Sequence, residues 1–161
     1  MPGPRVAALT AKLQKGLEKT EQVLSRATDE QWGTVVYADP RPWTLRDLLA
    51  HFVSAEQAFL ELARDVACGG QGVPDGFDFD VFNAQEQPRL ADRSPARLLD
   101  DLSAARKETL AWMETLSETD LDRVGRHPAL GEITLEAMLV AIYGHQLLHM
   151  RDVMPHFGWG G

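Results

Sequence analysis

The chain is poor in the features that mark several protein classes. One cysteine, Cys68, stands among 161 residues, so neither an intrachain disulfide nor a cysteine-rich metal site can form. Positive charge is scarce: 16 Lys and Arg face 24 Asp and Glu, a net charge of −8. That balance supplies no electrostatic footprint for nucleic acid or an anionic membrane, and neither is expected as a partner. Long apolar runs are missing too. The longest uncharged stretch, Ala137 to Met150, is 14 residues, short of the ~20 that a membrane-spanning helix needs. Met1-Pro2-Gly3-Pro4-Arg5 lacks the apolar segment of a signal peptide, and a cytoplasmic location is expected.

What is present is a globular composition, 44% hydrophobic and 25% charged, with the length of one domain spanning 1–161. Four segments carry helical periodicity. The first, Arg5 to Ala27, sets Val6, Leu9, Leu13, Leu17, Thr20 and Leu24 on one stripe, at the spacings of three and four that an amphipathic helix shows. Thr28-Asp29-Glu30-Gln31 then reads as a capping box for a short turn. Trp32 through Pro42 reads as extended chain, because Val35 and Val36 are β-branched and Pro40 and Pro42 disfavour helix before them.

Thr44 is the expected N-cap of the second helix, with Asp47 in its first turn. Leu45, Leu48, Leu49, Phe52, Ala55 and Phe59 form its buried face, His51 lies at the edge of that face, and Gly69-Gly70 ends it. Ser94-Pro95 opens the third, whose stripe runs Leu98, Leu102, Ala105, Thr109, Met113 and Leu116. The fourth starts after Thr134, follows Leu135, Met138, Ile142, His145 and His149, and stops before Pro155. An all-α four-helix bundle is the expected fold.

The segment 69–93 is a long connection between the second and third helices, which lets those two run parallel. It contains Phe77, Phe79 and Phe82, and is expected to fold back over one end of the bundle, since three phenyl rings are poorly left in water. A weak internal echo also appears. Each half has a helix, a polar turn, an irregular stretch and then Trp43-Thr44-Leu45 or Ile133-Thr134-Leu135, as a duplicated helical hairpin would.

The most informative chemistry is His145-Gln146-Leu147-Leu148-His149. Residues four apart on a helix share a face, so two imidazoles can approach one ion. Both fall on the core stripe, where an unpaired polar group costs roughly 1–3 kcal/mol, and so both require partners. His51 offers a third ligand from another helix. Two readings follow from the residues: a shared open metal site, or three histidines bonded separately to carboxylates or backbone carbonyls. Gln146 cannot serve as the general base of the His-Glu-x-x-His zinc proteases.

Taken together, Trp43-Thr44-Leu45-Arg46-Asp47-Leu48-Leu49-Ala50-His51 and the later His145-x-x-x-His149 resemble the DinB/YfiT-like superfamily of four-helix metalloproteins over nearly the whole chain. That resemblance implies an up-down-down-up bundle, a homodimer, and a divalent metal, zinc or nickel first, on the residues matching here at His51, His145 and His149. Relatives include maleylpyruvate isomerases that use mycothiol and S-transferases that use bacillithiol or glutathione. Phe79-Asp80-Val81-Phe82-Asn83-Ala84, with Ser94-Pro95 after it, looks most like the mycothiol branch. The implied function is transfer of a low-molecular-weight thiol to a small electrophilic substrate; metal-dependent hydrolysis and non-catalytic ligand binding are the alternatives. Three neutral imidazoles leave the ion's charge uncompensated, so the open position favours anions and acidifies a bound thiol or water.

The other polar residues are assigned plainer roles. His127 and His156 are expected as exposed or locally bonded loop histidines, and Cys68 as a small buried residue. Asp78 and Asp80 are expected in a solvated acidic turn, and Glu56 in a solvent or interhelical contact. Asp47 is a candidate to orient His51, with helix capping as the simpler account. Trp32, Trp112 and Trp159 are expected to pack.

Overall fold

The computed structural model describes residues 1–160. Helix α1 (Pro4–Leu24), the one-turn α2 (Asp29–Trp32), strands β1 (Val35–Tyr37) and β2 (Trp43–Thr44), and helices α3 (Leu45–Ala67) and α4 (Phe79–Arg89) make the first part of the chain. Helix α5 (Pro95–Met113), strands β3 (Val124–His127) and β4 (Gly131–Thr134), and helix α6 (Leu135–Val153) make the second. Four of these, α1, α3, α5 and α6, form the bundle, with α1 and α3 each packed between α5 and α6.

Contacts at the helix ends give the directions. Arg5 at the start of α1 pairs with Glu136 at the start of α6, while its backbone N–H reaches Glu118 beyond the end of α5. Arg46 at the start of α3 donates to the carbonyls of Leu90 and Arg93, just before α5 begins. So α1 and α6 run one way and α3 and α5 the other, the up-down-down-up order. The long connection carries the chain back along α3 to make that parallel pair.

The expected stripes are the buried ones. Val6, Leu9, Leu13, Leu17, Thr20 and Leu24 are all buried on α1, as are all six stripe residues from Leu98 to Leu116. They divide into two apolar clusters, one around Phe52, Leu98 and Met150, the other around Leu13, Met113 and Leu139. Between them lies a fully buried ion pair. Arg106 donates to Glu56 through Nε (2.7 Å) and Nη2 (2.9 Å), and to the Leu13 carbonyl through Nη1 (2.6 Å). Thr109 adds a bond of 3.0 Å to Glu56. Glu56 is thus interhelical, tying α3 to α5 and α1.

The internal echo is structural. Each half places an antiparallel hairpin directly before its second bundle helix, with Val35 opposite Thr44 and Val124 opposite Thr134. Both threonines cap their helices. The first helical N–H bonds back across each hairpin, Leu45 to Thr34 at 2.9 Å and Leu135 to Arg123 at 2.7 Å.

Several expectations are corrected. The first helix ends at Leu24, three residues early, because the chain turns into the Thr28 capping box. Asp78 and Asp80, expected in a solvated acidic turn, instead open the 11-residue α4 within the connection 69–93, Asp78 capping it through bonds to the N–H groups of Asp80 and Val81. Cys68 is exposed at the C-cap of α3. Asp47 takes the simpler of its two expected roles: it caps α3 through Thr44 and pairs with Arg46. Among the described residues no helix is long and apolar enough to cross a membrane.

Candidate metal centre

Helix α3 presents His51 from its second turn, and α6 presents His145 and His149 from successive turns of one face. The three rings meet with centroids 4.8 Å (His51–His145), 4.7 Å (His145–His149) and 5.3 Å (His51–His149) apart, each pair edge-to-face. One nitrogen from each lies within 4.8 Å of the others, and the Nε2 atoms of His51 and His145 are 2.9 Å apart. Of the three rings, His149 also bonds outward, its Nδ1 meeting the Tyr37 hydroxyl at 2.9 Å. The rings face one another, and the Nδ1 of His51 has no hydrogen-bond partner.

Burial, reinforced by the neighbouring His145 and His149, holds His51 well below the ordinary imidazole range; the Asn83 amide on α4 pulls weakly the other way. Burial likewise lowers His145 to about 3, with His149 and His127 adding to the effect. His149 is lowered by burial against an opposing pull from Asp152. All three rings are therefore neutral at neutral pH, which is the form that ligates a metal. A cluster of three lone-pair donors on two helices, leaving an open side, suits a divalent ion.

That open side is a cavity of about 910 Å³. The α3 and α6 helices form its floor, with Phe59 and Gly144 beside the histidines. The β1–β2 hairpin walls one part with Tyr37 and Trp43, and the tip of the β3–β4 hairpin walls another with His127 and Leu130. Phe77 of the connection and Phe82 of α4, 6.1 Å apart, cover a third part. The connection thus does fold over the bundle, as a wall of this space. Five of the chain's exposed large apolar side chains, Phe79, Val81, Leu130, Leu147 and Leu148, line the same cavity.

Two residues of the site were not legible beforehand. Tyr37 Oη lies 2.9 Å from Nδ1 of His149 and 2.9 Å from Asp152, bridging them. His127, expected in an exposed or locally bonded loop, is locally bonded but buried, and it stacks on Phe59 at 5.4 Å within the cavity. The hairpin pattern on either side of Pro128 was the available signal, since a strand ending at His127 would have turned its ring inward. His156 is exposed beyond α6.

Residues 12–153 match the family described as the DinB superfamily. The chain belongs to it. Several solved structures share its fold. YfiT from Bacillus subtilis, described as a probable metal-dependent hydrolase with an unusual four-helix bundle topology, is 19% identical with a TM-score of 0.72, covering 99% of this chain and 91% of its own. The mycothiol-dependent maleylpyruvate isomerase is 15% identical with a TM-score of 0.74; the match covers 92% of this chain but only 60% of the isomerase. The colibactin self-resistance protein ClbS, solved in complex with dsDNA, is 13% identical with a TM-score of 0.70, over 93% of this chain and 95% of that one. The expectation that nucleic acid is not a partner rests on this chain's own net charge of −8. No curated protein matches the chain significantly.

Proposed function

We propose that this protein is a divalent-metal-dependent enzyme that transfers a low-molecular-weight thiol to a small, largely apolar electrophile, with His51, His145 and His149 as the metal ligands. The observation that carries the reading is the convergence of three neutral imidazoles at the floor of a cavity of about 910 Å³. Such a volume lies at the upper end of small-molecule sites, roughly 300–1,000 Å³, and has room for a cosubstrate beside a substrate. Zinc or nickel bound there would act as a Lewis acid that acidifies a coordinated thiol or water. The chain's own residues do the remainder. Tyr37 and Asp152 hold the ring of His149, burial keeps His51 and His145 unprotonated, and the apolar walls exclude water from the floor. Arg41, Asp39 and Asp80 also line the cavity, so charge of both signs stands among its mostly apolar walls and offers partners to polar groups on thiol or substrate.

Mycothiol dependence in the isomerase of the same fold favours the thiol over water. The likeness to YfiT, which extends over nearly the full length of both chains, favours a second reading, metal-dependent hydrolysis. The test is elemental mass spectrometry of untagged protein, wild type and His149→Ala, followed by assays on an activated aryl halide and an aryl ester with and without added mycothiol, bacillithiol or glutathione. The transferase reading expects stoichiometric metal lost in the variant and halide consumption only with a thiol. Ester cleavage without thiol supports the hydrolase. No metal in either protein, and none taken up from added zinc, nickel or manganese, overturns both.

A further inference from the structure

His127 occupies the end of β3, where the turn Pro128-Ala129-Leu130 wraps over its ring. Its Nδ1 accepts the backbone N–H of Ala129 at 3.1 Å and of Leu130 at 3.2 Å. A ring nitrogen that accepts hydrogen bonds holds a lone pair, so the ring's hydrogen is on Nε2. The local turn thereby determines the tautomer. Nε2 is itself buried, yet no acceptor meets it. The residue is only 6% exposed, and a buried donor with no partner is rare enough in folded proteins to require an explanation.

The surroundings supply one. His127 lines the same cavity as the three clustered histidines and stacks nearly parallel (17°) on Phe59, which in turn meets His145 edge-on at 5.7 Å. The walls around it are mostly aromatic and aliphatic: Trp43, Phe59, Phe77, Phe82, Leu130 and Leu147. We infer that the Nε2–H of His127 is a hydrogen-bond donor for a carbonyl oxygen of the bound substrate, and that the substrate is accordingly an apolar, aromatic or alicyclic molecule bearing that carbonyl. This rests on the reading of the cavity as a small-molecule site and deepens it. A neutral imidazole held in one tautomer delivers its hydrogen to a single point, which orients a ligand that apolar walls alone would leave free to rotate.

The experiment uses a matched pair of probes, 2-acetylnaphthalene and 2-isopropenylnaphthalene, which differ by oxygen against methylene at one position. Affinities are measured by calorimetry on zinc-loaded and metal-free protein, for wild type, His127→Phe and His127→Gln. One neutral hydrogen bond corresponds to about a fivefold change in affinity. The ketone-over-alkene ratio is therefore expected to fall about fivefold in His127→Phe, which keeps the stacking ring, and to recover in part in His127→Gln, whose amide restores a donor. In 15N-labelled wild type, the His127 ring resonances should report hydrogen on Nε2 and move with the ketone only. That readout decides the matter by itself if the phenylalanine variant fails to fold. Equal ratios in all folded proteins, with no ketone-specific movement, overturn the role of His127 while leaving the cavity as a binding site. Failure of both probes to bind either form overturns the apolar-substrate assignment itself.

Discussion

The hydroxyl of Tyr37 bridges Nδ1 of His149 and Oδ2 of Asp152, at 2.9 Å to each. A carboxylate only accepts, so the hydroxyl donates to Asp152 and its oxygen receives Nδ1–H from His149. Burial and the Asp152 bond both push the tyrosine upward from its ordinary pKa, so it stays protonated and able to donate. His149 is left with its lone pair on Nε2, toward His51 and His145. Ligating histidines are commonly oriented in this way by a partner on the other ring nitrogen.

Tyr37→Phe removes the bridge and leaves the ring that packs beside His149. Loss of such a partner typically costs about 10–100-fold in metal affinity. Zinc affinity measured by competition with a chelator is expected to fall by at least about tenfold, with a circular dichroism spectrum like the wild type. An unchanged affinity would show that packing alone orients His149.

Gly144 lies within α6 beside His145, and a Cβ built on it meets nothing within 4 Å. Glycine inside a helix costs roughly 0.5–1 kcal/mol relative to alanine, and here the space it leaves belongs to the cavity. Gly144→Ala should therefore stabilise the protein by roughly that amount in urea unfolding. Gly144→Leu should keep the metal content of the wild type but lose binding of 2-acetylnaphthalene. Unimpaired probe binding in the leucine variant would place the ligand elsewhere.

Arg106 and Glu56 are both essentially without solvent contact, with side-chain exposures of 0% and 1%. Removing one member of such a pair leaves a buried charge without its counter-ion, which costs about 3–5 kcal/mol. Arg106→Met is expected to lose stability on that scale by chemical denaturation. The double variant Glu56→Leu, Arg106→Met should recover most of it, since well-packed apolar replacements of buried pairs are often neutral. A double variant as unstable as the single one would mean that the pair has a role beyond compensating its own desolvation.

Acid should destabilise the chelator-treated protein through its histidines. The folded pKa values of His51, His145 and His149 all lie below the ordinary 6.5, with His145 at about 3. Between those values and 6.5 the unfolded chain binds more protons than the folded one, so stability rises with pH there and is complete above it. The melting temperature should fall as pH drops below about 6.5, and His145→Phe should flatten the dependence. Bound zinc should steepen it, because acid then also displaces the metal. A melting temperature that does not move between about pH 7 and pH 5 would contradict the buried neutral cluster.

The four bundle helices, their buried faces and most of their caps are legible in the residues alone, because a helix is written in a local period of 3.6 residues and in cap residues at its ends. It is legible likewise that His145 and His149 share a face, and that Thr44 and Thr134 begin equivalent units. Helix α4 was obscured by polar composition, nearby glycines and an internal Pro88, so it had no apolar stripe to read. No local pattern announces that Tyr37 reaches His149, 112 positions away, or that His127 lies on Phe59. Those contacts depend on where two hairpins fold against the bundle, which is set by strand pairing and packing over long separations. Tertiary packing also turned a spacing of four and a distant His51 into a single cluster, since the parallel and antiparallel directions of four rods place the second turn of α3 beside the later turns of α6.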